Sequence, residues 1–126
     1  MAALVSASAT RAAPADRTLS TYCSPTGDVC YGVFGRAGKV YLRITTAAHY
    51  FGRYALCVQL LPAGNDTAHK RRCGSFPVFR AAGSTYASSV NYARQYPVTA
   101  RGRYRVTWKS GGTALGPSLF FRLPLR

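Results

Sequence analysis

Apolar residues recur at every second position along most of this chain. Val40, Leu42 and Ile44 alternate with Lys39, Tyr41, Arg43 and Thr45. Tyr54, Leu56, Val58 and Leu60 alternate with Ala55, Cys57 and Gln59, and Tyr104, Val106 and Trp108 with Arg103, Arg105, Thr107 and Lys109. Phe76 with Val78, Tyr86 with Ser88, Val90 and Tyr92, and Leu119 with Phe121 and Leu123 keep the same period. Successive side chains on a strand point to opposite faces, so each run offers one face to a core and one to solvent. No stretch holds a helical period over a dozen residues. Gly35-Arg36-Ala37-Gly38, Pro62-Ala63-Gly64-Asn65-Asp66, Ala82-Gly83-Ser84 and Ser110-Gly111-Gly112 punctuate the runs as turns. The spacing predicts about seven strands, near 30–34, 38–46, 53–61, 69–80, 85–93, 101–109 and 114–123. An all-β, antiparallel sandwich forming a single domain over 21–126 follows.

The cysteines are Cys23, Cys30, Cys57 and Cys73, an even number that allows three disulfide connectivities. Cys23 and Cys30 bracket the turn signal Pro25-Thr26-Gly27, and Cys57 and Cys73 flank the Pro/Gly/Asn turn. We expect the pairs Cys23–Cys30 and Cys57–Cys73. Zinc is excluded by spacing, since there is no C-x2-C pair and His49 and His69 lack finger spacing. Two structural disulfides imply an oxidising compartment. Residues 1–20 are small, Ala-rich and aperiodic, and carry the small-x-small triplets Ala7-Ser8-Ala9 and Ala13-Pro14-Ala15. They read as a secretory leader missing its upstream part, the alternative being a short disordered leader. The expected location is therefore extracellular.

The stretch Tyr96-Pro97-Val98-Thr99-Ala100-Arg101-Gly102-Arg103-Tyr104-Arg105-Val106-Thr107-Trp108 resembles the entry to the penultimate strand of immunoglobulin-like domains. The resemblance implies that Tyr104 sits in a corner, its hydroxyl holding a loop, with Gly102 allowing a tight approach. It covers 22–126 at the level of the fold. The inter-sheet disulfide and early Trp of antibody domains are missing, so small secreted bacterial domains of this architecture are the better likeness. Such an architecture hosts many functions and transfers none.

Charge narrows the chemistry. Lys and Arg number 17 against 3 acids, a formal net charge of +14. There is no Glu, and Asp16, Asp28 and Asp66 are the only acidic side chains. Paired-carboxylate hydrolysis and carboxylate-rich metal sites are thereby excluded. The longest apolar runs are too short for a transmembrane helix. Asp66 and His69 lie three residues apart but no nucleophile motif accompanies them, so no enzyme, cofactor or metal is expected. Self-repulsion predicts a monomer that associates with polyanions.

Alternation places Arg101, Arg103, Arg105 and Lys109 on one face of one strand, and Lys39 and Arg43 outward on another. If those strands are neighbours, they form one basic sheet face with Tyr41 as a stacking surface. Lys70, Arg71 and Arg72 add a short basic run before Cys73. The Tyr and Phe residues serve mainly as core material; any exposed on loops suit stacking on sugar rings. Two functions are compatible with these features. One is a secreted, non-enzymatic binding module whose basic face engages an anionic cell-surface or wall polymer. The other is a structural or protein-interaction module, an inhibitor or adhesion subunit, acting through its disulfide-stapled loops.

Overall fold

A computed structural model of the chain describes residues 16–125. Its strands are β1 (Arg17–Cys23), β2 (Val29–Arg36), β3 (Lys39–Thr46), β4 (Arg53–Leu60), β5 (Arg72–Pro77), β6 (Phe79–Ala82), β7 (Thr85–Asn91), β8 (Gly102–Ser110), β9 (Thr113–Ala114) and β10 (Leu119–Leu123). A single helical turn, α1 (Tyr92–Gln95), links β7 to the loop before β8. One antiparallel sheet has the order β1-β2-β3-β7-β6. The other has the order β10-β8-β4-β5, with β9 hydrogen-bonded beside β8.

The alternating residues meet between the sheets. Val33, Val40, Leu42, Ile44 and Val90 face inward from the first sheet, and Tyr54, Leu56, Val58, Leu60, Tyr104, Val106, Trp108, Leu119 and Phe121 from the second. Trp108 is fully buried and stacks on Tyr31 across the interior, with ring centroids 4.3 Å apart. The Tyr54 hydroxyl and Ser88 Oγ form a 2.7 Å hydrogen bond between the sheets. Seven of the 16 aromatic residues are buried, and Tyr22, Phe51, Phe76 and Tyr86 pack partly buried against them, as β-rich packing favours.

Both expected disulfides are present, and none of the described cysteines is free. Cys23 lies directly opposite Cys30 on β1 and β2, and Cys57 opposite Cys73 on β4 and β5. Each staple therefore ties neighbouring strands within one sheet, with Cα–Cα distances of 4.1 and 4.0 Å. Among the described residues, no helix is long and apolar enough to cross a membrane.

The strand count differs from the expected seven. The run expected at 69–80 breaks at Pro77, which has no N–H to give a ladder. The chain changes sheets there: β5 pairs β4, while β6 pairs β7. The run expected at 114–123 contains only β9 and β10, separated by Gly116-Pro117. The first sheet also begins earlier than the expected domain start at 21, because Arg17 and Thr18 already pair with Gly35 and Phe34. The rest of the leader, including both small-x-small triplets, lies outside the described residues.

Candidate functional site

The two basic strands are not neighbours, which corrects the single basic face expected from their sequences. β3 is flanked by β2 and β7, whereas β8 is flanked by β10 and β4 in the opposite sheet. Lys39 and Arg43 therefore cannot share a sheet surface with Arg103, Arg105 and Lys109. The alternation that orients each side chain is identical for either sheet and carries no information on sheet membership.

On the outer face of the second sheet, Arg103, Arg105 and Lys109 of the expected four stay together on β8 and gain partners, whereas Arg101 falls in the loop before that strand. Register places Arg122 of β10 directly opposite Arg103, and Phe120 opposite Arg105. On the other side, Gln59 lies opposite Arg105 and Ala55 opposite Lys109. Arg53 shares the outward parity of β4, donating from Nε to Ser75 Oγ at 3.0 Å and from a terminal nitrogen to the Ser75 carbonyl at 3.0 Å. Arg105 donates to the Gln59 amide oxygen Oε1 at 2.8 Å, and the Arg103 guanidinium lies 4.1 Å from the centroid of the Phe120 ring. The face thus carries Arg53, Arg103, Arg105, Lys109 and Arg122, spread along roughly 20 Å of β8 at ~3.4 Å per residue.

None of the three aspartates reaches this face. Asp16 binds Arg36 and Arg43 on the first sheet, Asp66 caps its own loop at His69, and Asp28 lies in the turn between β1 and β2. Like charges directly opposite one another, as at Arg103 and Arg122, disfavour strand pairing. The phenyl face beneath Arg103 offsets part of that repulsion. The remaining potential is positive and open to solvent.

Other expected site residues have different placements. Arg43 is half-buried, shares the Asp16 carboxylate with Arg36 and lies 4.8 Å from the Phe34 ring centroid, so its charge is partly met within the first sheet. Hydrogen bonds from Arg36 and Arg43 hold the Asp16 carboxyl down at about 2. Arg72 is also not a surface cation: it donates to the Thr67 carbonyl at 2.7 Å, and its Nε is buried. Lys70 and Arg71 are exposed at the loop before β5. Asp66 accepts the backbone N–H of His69 at 2.7 Å, while the imidazole Nδ1 donates to the Pro62 carbonyl at 2.8 Å. The pair builds a loop and does not orient a base toward a nucleophile. Tyr41 stays on the first sheet with Arg36 and Arg43, away from the β8 face.

Lys39 and Arg101 do come together, at one end of the sandwich. The starts of β3 and of the β8 segment approach there, and both residues line a depression of about 460 Å³. A hairpin turn places Lys39: Ala37 and Gly38 both adopt left-handed backbone, at φ 52 and 79. Tyrosines place the loop bearing Arg101. The Tyr104 hydroxyl donates to the Ala100 carbonyl at 2.6 Å, and the Tyr92 hydroxyl to the Val98 carbonyl at 2.6 Å. Burial pushes both phenols up, so they remain protonated donors. At Gly102 a Cβ would stand 2.9 Å from Leu60 Cδ1, which accounts for glycine at this close approach.

Sequence reasoning missed Arg53 and Arg122, because each is an isolated cation on its strand and only the ladder register brings it beside β8. Neither a protein-family model, nor a curated protein, nor a solved structure matches this chain.

Proposed function

We propose that this chain is a secreted, non-enzymatic binding module of immunoglobulin-like architecture, and that the outer face of its second sheet engages an anionic cell-surface or wall polymer. One observation carries the reading: Arg53, Arg103, Arg105, Lys109 and Arg122 share a face that no aspartate reaches. Arginine forks meet phosphate or carboxylate groups in charge-assisted, bidentate contacts. The paired cysteines support export to an oxidising compartment. The strand order supports the architecture. With β3, β4, β8 and β10 in the roles of strands B, C, F and G, the sheets read A-B-E-D and G-F-C-C′, with β1 added at one edge. The Tyr104 hydroxyl bond to the loop upstream is what a tyrosine corner provides.

The test is binding to isolated anionic wall polymer over a salt series. Replacing Arg103, Arg105 and Lys109 with Gln lowers the slope of log Kd against log salt by about one per lost contact. Neutralising Arg36, Arg80 and Arg94, exposed on β2, β6 and α1, removes the same total charge with little effect. Equal losses in the two triple variants would reduce the charge to a generic surface property.

The β1–β2 hairpin favours a second reading, in which a protein partner is recognised by a stapled loop. Its tip is exposed at Pro25–Gly27, and Ser24 braces it through Gly27 N–H to Ser24 O at 2.8 Å and Val29 N–H to Ser24 Oγ at 3.2 Å. Salt-insensitive, saturable binding lost on replacing that tip would establish this role.

A further inference from the structure

The depression at the sandwich end joins two kinds of surface. Lys39, Arg101 and Thr99 supply cations and a hydroxyl, while Ala93, Leu123 and Pro124 supply an accessible apolar wall above the buried Val40 and Tyr92. Lys39 opens β3 of the first sheet and Arg101 lies in the loop leading into β8 of the second, and neither has a carboxylate within ion-pair distance among the described residues. At about 460 Å³ the space lies within the range of small-ligand sites, roughly 300–1,000 Å³. It also adjoins the basic face. Arg101 precedes Arg103 by one alternation, and Leu123 follows Arg122, the residue opposite Arg103.

A ligand suited to this site has an apolar ring face, hydroxyls at its edge and one anionic substituent. We propose that the depression binds a single anionic sugar residue. Its ring lies against Ala93, Leu123 and Pro124, its carboxylate or phosphate meets Lys39 and Arg101, and a ring hydroxyl meets Thr99. The inference rests on the polyanion reading and deepens it. The sheet face follows the charged backbone of the polymer, and the depression reads one of its residues. A generic cationic surface has no such discrimination between an anionic sugar and an unsubstituted polyanion.

The experiment uses the full chain, isotopically labelled, titrated with trigalacturonate, glucose 1-phosphate and neutral maltotriose while backbone amide shifts are followed. Saturable shifts at Gly38, Lys39 and Thr99 to Arg101 are expected with an anionic sugar and not with maltotriose. The arm that binds, carboxylate or phosphate, identifies the substituent. The paired substitution Lys39→Ala and Arg101→Ala weakens that binding by about tenfold or more, the loss of two charge-assisted contacts. Both side chains are exposed, so the fold is retained, and an unchanged melting temperature verifies this. The Arg103, Arg105 and Lys109 triple Gln variant retains the sugar-induced shifts while losing the polymer. Shifts confined to β8, an equal response to maltotriose, or no shift with either anionic sugar would overturn the assignment. Polymer binding that survives the β8 triple variant would instead overturn the function proposed for the face, leaving the sugar titration to stand by itself.

Discussion

Tyr104→Phe removes one hydroxyl and leaves the buried ring in place, so it isolates the bond that holds the loop before β8. Tyr104 is fully buried, and its ring stacks on Phe121 with centroids 5.0 Å apart, contacts that Phe retains. What is lost is the 2.6 Å donation to the Ala100 carbonyl and the longer approach to the Val98 carbonyl at 3.5 Å. Ala100 is exposed, so water reaches its freed carbonyl. The cost is therefore about 1 kcal/mol, short of the ~1–3 kcal/mol of an acceptor left dry. For a domain this size that lowers Tm by roughly 4 °C. Tyr92→Phe frees the half-buried Val98 carbonyl and costs about 1–2 kcal/mol. The two hydroxyls hold the same short segment, so the double variant departs from additivity by about 0.5 kcal/mol or more. Urea unfolding with an unchanged m-value measures all three. Thr99 and Arg101 ride on that segment, so anionic-sugar affinity falls in Tyr104→Phe under conditions where the protein is fully folded. A Tyr104→Phe stability within about 0.3 kcal/mol of the parent, or strict additivity of the pair, would refute the argument that these hydroxyls jointly set the loop.

Other perturbations test separate links. The Asp16 carboxyl is held at about 2 in the folded chain, below the ~3.9 of an unfolded aspartate, so its contribution is complete above about pH 4 and is lost as pH falls through 2. Asp16→Asn is expected to flatten the acid limb of stability in that window, followed by fluorescence-detected unfolding against pH. Replacing Cys57 and Cys73 together by Ala opens the longer disulfide loop, with a sequence separation of 16, and costs about 3 kcal/mol in the chain-entropy model. The same change at Cys23 and Cys30, with a separation of 7, costs about 2.5 kcal/mol; denaturant midpoints of the two variants should keep that order. Gly102→Ala meets Leu60 at 2.9 Å with φ at 151 and is expected to lose at least ~1 kcal/mol in urea unfolding.

Strands with an alternating apolar face could be read directly, because β3, β4 and β8 each bury every second side chain. The disulfides were legible for a related reason: each pair flanks a turn, and antiparallel pairing then sets the cysteines opposite one another. β1 was not legible. It is an edge strand whose core contacts, Leu19 and Tyr22, do not alternate, and its register shifts between Thr18 and Ser20. Sheet membership was hidden as well, since a strand's own pattern does not name its partners. That single gap joined Arg43 to the wrong set and left out Arg53 and Arg122. It also concealed how the scarce acids are distributed. Asp16 bridges to Arg36 and Arg43, positions brought near it by the β1–β2–β3 ladder, and so offsets one of their two charges. Among the described residues, no such carboxylate is paired with a cation on the outer face of the second sheet. An excess that the sequence describes only as a total of +14 is divided between the sheets once folded: one aspartate serves Arg36 and Arg43 on the first, and none serves the cations aligned on β4, β8 and β10. For the proposed polyanion-binding role, that alignment supplies a defined axis, leading from Lys109 along β8 toward the depression at Arg101.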